Sequence, residues 1–214
     1  AYDSFKFNGV YRAVYDFVND LSSVYMDVTK DRLYSESPDS PRRRAVQTVL
    51  FNILEVLVRV LSPILSFTAD EVWECYPEAM RNREGRVGNV QLAGWPHRSD
   101  FVPALPGKLA EEKVLAAFGN ALEVRDVVTK ALEDARGAKV INKSQEATVL
   151  VTAPQATLDA LSAFDASVFE ELFIVSGVTF AAGEELACEV KLAEGDKCPR
   201  CWNYRELGGN ANHP

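Results

Sequence analysis

Apolar side chains recur at Val10, Val14, Phe17, Leu21, Val24 and Val28, a three-and-four spacing that lines one face of a helix within residues 3–34. Asp16, Asn19, Asp20, Ser23 and Asp27 fall on the other face, so the segment predicts a long amphipathic helix. The break SESPDSP follows, and Ser40-Pro41 reads as an N-cap with proline at the first helical position. A second helix is predicted from there, with Val46, Val49, Leu50, Ile53, Leu54, Leu57, Val60 and Leu61 as a broad apolar stripe that Pro63 kinks or ends. Thr68 and Glu71 have capping-box spacing, which predicts a third helix through Val72, Trp73 and Tyr76 to about Pro77. Three such helices on short links point to an antiparallel bundle over residues 1–80.

The period disappears over residues 81–108, where Gly and Pro mark a linker expected to pack on the bundle, anchored by a buried Trp95. It returns from Leu109 to Arg136, with Val114, Leu115, Phe118, Leu122, Val124, Val128 and Leu132 on the apolar side and Gly137 placed to cap the helix. Ala147–Val151, Val178–Phe180 and Leu186–Leu192 read as strands, 154–164 reads as a short helix, and the apolar run Val168–Val175 fits either state. Residues 109–194 therefore predict a helix plus a small α+β module, and 195–214 a separate tail. The fold class is mainly α, a helical bundle followed by that module, and the sequence has no internal repeat.

Composition narrows the class. Hydrophobic residues at 47% and charged residues at 25% are those of a globular chain, not a disordered or low-complexity one. The longest apolar stretch is broken by Arg59 and Pro63, and the N-terminus shows no apolar leader, so a soluble, cytoplasmic protein without membrane partners is expected. The net charge of −8 argues against nucleic acid as a partner on average, but averages hide patches.

One such patch is Arg42, Arg43 and Arg44 in the first turn of a predicted helix, where positive charge opposes the helix dipole at a local cost of about 0.3–1 kcal/mol per residue. Two readings stay open: a solvated helix end paired to Glu36 and Asp39, or a phosphate-binding edge together with Lys30 and Arg32. The tail offers the most specific motif, Cys198-Pro199-Arg200-Cys201. A Cys-x-x-Cys turn presents two thiolates suited to two corners of a tetrahedral zinc site, whereas redox chemistry would require the pair to open a helix in a βαβ setting. Cys75, Cys188 and His213 are the remaining candidate ligands, so the site is expected to be incomplete within these 214 residues. Trp202, flanked by Arg200 and Arg205, is either a base-stacking platform or a packing element of the knuckle. Phosphate-loop, dinucleotide, metalloprotease and serine-hydrolase signatures are all absent, and His97 and His213 lie in the linker and the tail, so no active site is predicted.

Several stretches, in order, carry a resemblance. VYMDVTKDRLY at 24–34, RRAVQTVL at 43–50 and LSPILSFTADEVW at 61–73 resemble the anticodon-binding helical domain of class I aminoacyl-tRNA synthetases. ALEVRDVVTKALEDAR at 121–136, KVINKSQEATV at 139–149 and KCPRCWNY at 197–204 make the bacterial-type isoleucyl branch the nearest, with Asn142 standing where that branch usually has glycine and Gln145 where it has an apolar residue. The resemblance implies a C-terminal, tRNA-binding portion of such an enzyme that recognises and orients the anticodon stem-loop of the isoleucine isoacceptor. Lys30, Arg32, Arg42, Arg43 and Arg44 would meet phosphates, with Trp202 and Arg205 in a second contact, and Cys198 and Cys201 would hold half of a structural zinc site that a second Cys-x-x-Cys completes. ATP-dependent isoleucylation, with ATP and isoleucine, would belong to catalytic and editing domains of the same parent chain, whose HIGH and KMSKS motifs are absent here, so the fragment alone is expected to be inactive. A valyl relative, or a helical protein-interaction module with a zinc tail, are the alternatives.

Overall fold

The computed structural model describes residues 1–81, 87–101 and 111–206; Leu109, parts of the predicted linker and His213 lie outside them. The first amphipathic segment forms α1 (Phe7–Asp20), passes through one wider π-helical turn at Leu21–Met26, and continues as α2 (Asp27–Tyr34). It starts later than the pattern predicts because Phe5 takes a left-handed conformation (φ 54°) that separates α1 from a short 3-10 turn at Tyr2–Ser4. The chain divides into two compact units, one made of residues 1–35 with the stretch from 107 onward, the other of 36–106. The apolar pattern alone groups residues 1–35 with the two helices that follow. Two side chains explain the division: Val28 packs against the α/β core, and Arg32 Nε donates to Glu171 at 2.9 Å.

In the 36–106 unit, α3 (Pro41–Leu61) opens as expected, Ser40 Oγ accepting from the Arg43 amide at 3.5 Å. Pro63 lies in the turn beyond, so it ends the helix rather than kinking it. The next helix, α4 (Ser66–Glu74), corrects the capping-box expectation: it begins ahead of Thr68, whose side chain is exposed within the first turn, and no side chain caps it. Ser66 Oγ instead donates to the Ser62 carbonyl at 2.9 Å, which draws the helix start forward. It stops at Glu74, and a single turn, α5 (Glu78–Arg81), follows Pro77. The core joins Val58, Ala69, Trp73, Tyr76 and Val90. Val90 is the linker's buried anchor, while Trp95 is 52% exposed, against expectation. The Trp73 indole N–H donates to the Val87 carbonyl at 3.0 Å, fixing the linker three residues before Val90.

In the other unit, α6 (Glu111–Gly137) buries Ala117, Ala121, Val124, Val128 and Leu132, a narrower stripe than predicted, with Leu115 and Phe118 exposed. Gly137 belongs to its last turn; the left-handed cap is Lys139 (φ 60°), closed by Val140 N–H to Ala135 O at 2.9 Å and Lys139 N–H to Arg136 O at 3.0 Å, the paired bonds of a Schellman motif. β1 (Ala147–Ala153) alternates buried and half-buried residues. α7 (Gln155–Leu161) and α8 (Ala166–Phe173) then cross to β2 (Gly177–Ala182), parallel to β1, and β3 (Ala187–Leu192) returns antiparallel, giving the order β2-β1-β3. The ambiguous run at Val168–Val175 is thus mostly helix, ended by Ile174 in the left-handed region (φ 57°). Val149 sits opposite both Val178 and Val190, at the centre of a core shared with α6 and α8. The described fold is predominantly helical with a small three-stranded mixed sheet and, in the tail, a two-stranded ladder.

Candidate nucleic-acid interface and cysteine knuckle

The basic candidates fall on both units. At the start of α3, Arg42 Nη1 lies 3.4 Å from Glu36, Arg44 Nη2 lies 3.7 Å from Asp39, and Arg43 Nη1 donates to the Glu36 carbonyl at 3.1 Å. Glu36 also accepts from Ser40 Oγ, so one carboxylate ties the N-cap to the arginine run. These pairs realise the local geometry of the solvated reading, yet they do not use up the cations. Arg42 and Arg44 keep more than half of their side-chain surface, and exposed pairs of this kind contribute about 0–1 kcal/mol. On the other unit, Lys30 pairs with Asp27 at 2.7 Å across one turn of α2. Arg32 gives both Nε and Nη2 to Glu171 and keeps a quarter of its side-chain surface, which makes it as much a cross-link between α2 and α8 as a free cation.

The tail forms a knuckle. β4 (Asp196–Lys197) and β5 (Tyr204–Arg205) pair antiparallel and hold the turn that carries Cys198 and Cys201. Gly195 (φ 97°) precedes the ladder where an added Cβ would stand 2.7 Å from the Arg205 carbonyl, so only glycine lets the strands close. Cys198 N–H donates to Asn203 O at 2.9 Å and Trp202 N–H to Cys198 O at 3.0 Å, while Trp202 takes the left-handed conformation (φ 67°) that turns the chain back. Both thiols are buried, and neither forms a disulfide. Burial works to raise the Cys198 pKa, but amide N–H groups of Cys201, Arg200 and Trp202 and the Cys201 thiol outweigh it, and the value lies below that of an ordinary thiol. Burial raises Cys201. Amides aimed at a buried sulfur favour thiolate, the form that binds metal. The pair therefore suits two corners of a tetrahedral zinc site, and no group of three His, Cys, Asp or Glu suited to a metal occurs among the described residues. Cys188, on β3, is a different thiol: burial and Glu189 push it up to about 11.

Trp202 is half exposed, with Lys143 Nζ 4.8 Å and Lys197 Nζ 5.3 Å from its ring centre. Arg205 reaches Glu170 at 3.4 Å, and Tyr204 N–H donates to Ser176 Oγ at 2.7 Å, so the knuckle is tied to α8 and to the turn before β2. Aromatic surface ringed by ammonium groups is the arrangement that single-stranded nucleic acid uses for stacking and phosphate contact.

A family model described as the anticodon-binding domain of tRNA ligase matches residues 1–151. The chain belongs to that family. It is also similar to the isoleucine–tRNA ligases of Geobacillus kaustophilus (40% identical over 228 residues, all of this chain and 23% of the relative), Thermotoga maritima (37% over 222 residues, all and 23%) and Natranaerobius thermophilus (36% over 222 residues, 95% and 22%). The chain spans less than a quarter of the length of these relatives.

Within this anticodon-binding family member, the sequence reading missed Lys143, Lys197, Ser176 and Glu171. Lys197 adjoins the cysteine motif and could have been found there; Lys143 and Ser176 reach the knuckle only through the fold. Asn142 does not occupy the left-handed region, and its amide donates to Glu146 Oε2 at 2.8 Å, which holds that carboxyl below its ordinary range. No helix among the described residues is long and apolar enough to cross a membrane.

Proposed function

We propose that this chain is the C-terminal, tRNA-binding portion of a cytoplasmic isoleucine–tRNA ligase, which recognises and orients the anticodon stem-loop of the isoleucine isoacceptor. Activation of isoleucine by ATP, its transfer to tRNA and editing fall to other domains of the parent chain. The observation that carries the reading is the identity of 36–40% to isoleucine–tRNA ligases over 95–100% of this chain. Lys30, Arg32, Arg42, Arg43 and Arg44 supply phosphate contacts, which position RNA without reading sequence. Trp202 and Arg205 supply a second surface suited to unstacked bases, the part of RNA that proteins read for sequence. Zinc bound by Cys198 and Cys201 with two further ligands would cross-link the turn that presents Trp202. The residues in hand do the rest: Gly195 and Ser176 close and seat the ladder, and the amides around Cys198 hold its sulfur ready for the metal.

The test is a binding titration against isoleucine, valine and methionine tRNAs at two salt concentrations. Selective binding of isoleucine tRNA is expected, falling with salt by close to one power per phosphate contact. Replacing Arg42 and Arg43 together by alanine should flatten that slope by about two without changing the preference among tRNAs. Binding indifferent to salt, or a preference for valine tRNA, would overturn the assignment.

A further inference from the structure

Most of the cations assigned to RNA contact already hold a carboxylate: Lys30 with Asp27, Arg32 with Glu171, Arg42 with Glu36, Arg44 with Asp39 and Arg205 with Glu170. Lys143 and Lys197 differ. Neither ammonium lies within ion-pair distance of a carboxylate among the described residues, and both stand over the Trp202 ring instead. Glu146, the carboxyl that feels the Lys197 charge, is engaged by the amides of Asn142 and Lys143.

The two lysines reach the ring from different parts of the fold. Lys197 belongs to β4, opposite Tyr204 in the ladder. Lys143 precedes the short turn that leads into β1, and that turn is fastened to the knuckle at both ends. The Glu146 carbonyl accepts the Ala193 amide at 2.7 Å, ahead of Gly195. The Gln145 carbonyl accepts from Ser176 Oγ, which itself accepts the Tyr204 amide. Backbone bonds therefore bring Lys143 to Trp202. The ring is fixed as well: the left-handed conformation is rare for so bulky a residue, and the Trp202 amide secures it by donating to the Cys198 carbonyl. Two ammoniums gathered over one ring repel each other, and an anion between them removes that cost. Exposed cation–π contacts are weak, and a lysine stem is flexible, so each ammonium can leave the ring for a phosphate oxygen while the ring takes a base.

We infer that Lys143 and Lys197 take the phosphate next to a base stacked on Trp202, so that the knuckle and the turn before β1 hold one nucleotide of single-stranded RNA together. This deepens the proposed RNA surface and rests on that reading.

The test is binding of fluorescein-labelled hexauridylate by the full 214-residue chain across a range of salt. Lys143 is exposed, so its variants should unfold at the same midpoint as the unaltered chain. Lys143→Met should weaken binding about three- to ten-fold at low salt and flatten the salt slope by about 0.7, the share of one phosphate contact on a single strand. Lys143→Arg should keep both affinity and slope, since a guanidinium serves the ring and the phosphate alike. Trp202→Ala should weaken binding about ten-fold or more. Adding Lys143→Met to it should cost less than Lys143→Met costs alone, because both groups hold the same nucleotide. Hexauridylate that fails to bind, or binds Lys143→Met with unchanged affinity or an unchanged slope, overturns the inference. So does a Lys143→Arg variant as weak as Lys143→Met, or losses that multiply in full, which would put ring and ammonium on separate nucleotides. Hexauridylate carries no isoacceptor identity, so a chain that passes this test without preferring isoleucine tRNA keeps the subsite and loses the tRNA assignment.

Discussion

The α/β core closes on Val124, Val128, Val149 and Val151, none of which exposes any surface, whereas the helical core of residues 36–106 closes on Trp73 and Tyr76 with a charged pair among them. Glu55, 4% exposed, takes the Arg59 guanidinium at 2.8 Å, and that guanidinium lies 5.6 Å from the Trp73 ring and 5.8 Å from Phe101. Arg59 Nε is buried with no hydrogen-bond partner. The first core relies on apolar burial alone and tolerates many volume-conserving exchanges. The second also holds a buried carboxylate, Glu55, and the Arg59 guanidinium, a quarter exposed, is one of the groups that compensate its desolvation. The knuckle is built on the first kind of core and the arginine run on the second, so the two candidate RNA surfaces should respond differently to the same insult.

The largest expected effect follows from breaking the ion pair. Arg59→Ala leaves Glu55 buried without the guanidinium and should destabilise the 36–106 unit by about 3 kcal/mol. Exchanging both partners for apolar residues, Glu55→Leu with Arg59→Met, should recover most of that loss. Denaturant unfolding with hydrogen exchange along α3 and α6 checks both, with α6 and β1 amides unaffected. If the single and double variants are equally unstable, the pair is not what distinguishes the cores.

A smaller effect is expected where the knuckle joins the apolar core. Ser176 Oγ accepts the Tyr204 amide and donates to the Gln145 carbonyl, so Ser176→Ala strands two backbone groups at a cost of about 1–2 kcal/mol. The loss should be local: Cys198 and Cys201 become labelled faster by a thiol reagent, while the unfolding of the 36–106 unit is unchanged. Unaltered labelling would show that the ladder seats itself without the serine.

How much of this the sequence reveals depends on the range of the interaction. The N-cap at Ser40, the alternation in β1 and the Cys198-x-x-Cys201 turn are local in sequence, and residues a few positions apart decide them. Composition points to Gly137 as the cap of α6, but Lys139 takes the left-handed place because the Schellman bonds close two residues later, a choice that geometry makes and composition does not. The Glu55–Arg59 pair has the spacing of an ordinary surface pair on a helix; only Trp73 and Phe101, packed from elsewhere in the unit, turn it into a core feature. Likewise Arg32 reads as one more cation until Glu171, more than a hundred residues away, engages it. The apolar period of α1 is local and legible, whereas the exposure of Phe7, Tyr11, Tyr15 and Val18 depends on which elements pack on the helix.

The smallest expected effect lies at the turn that leads into β1, and it titrates. The Asn142 amide donates to Glu146 at 2.8 Å, with the Asn142 side chain at 3.3 Å, and these bonds, aided by the Lys143 amide and the Lys197 charge, hold the Glu146 pKa below its ordinary value. A carboxyl whose pKa is lower folded than unfolded stabilises the fold above its unfolded value, and that contribution is lost as pH falls through the folded value. Glu146→Gln should therefore lower the unfolding midpoint by a constant amount between about pH 6 and 8, and the gap to the parent should close as the pH drops below about 4. The same titration carried out on Asn142→Gly, which keeps the backbone donor and deletes the side-chain one, should show most of the pH dependence retained, since the backbone bond is the larger cause. A gap that stays constant down to pH 3 would mean that Glu146 acts there through packing and not through its charge, and the α/β unit would then owe nothing to ionised groups at this turn, making its contrast with the Glu55–Arg59 core sharper still.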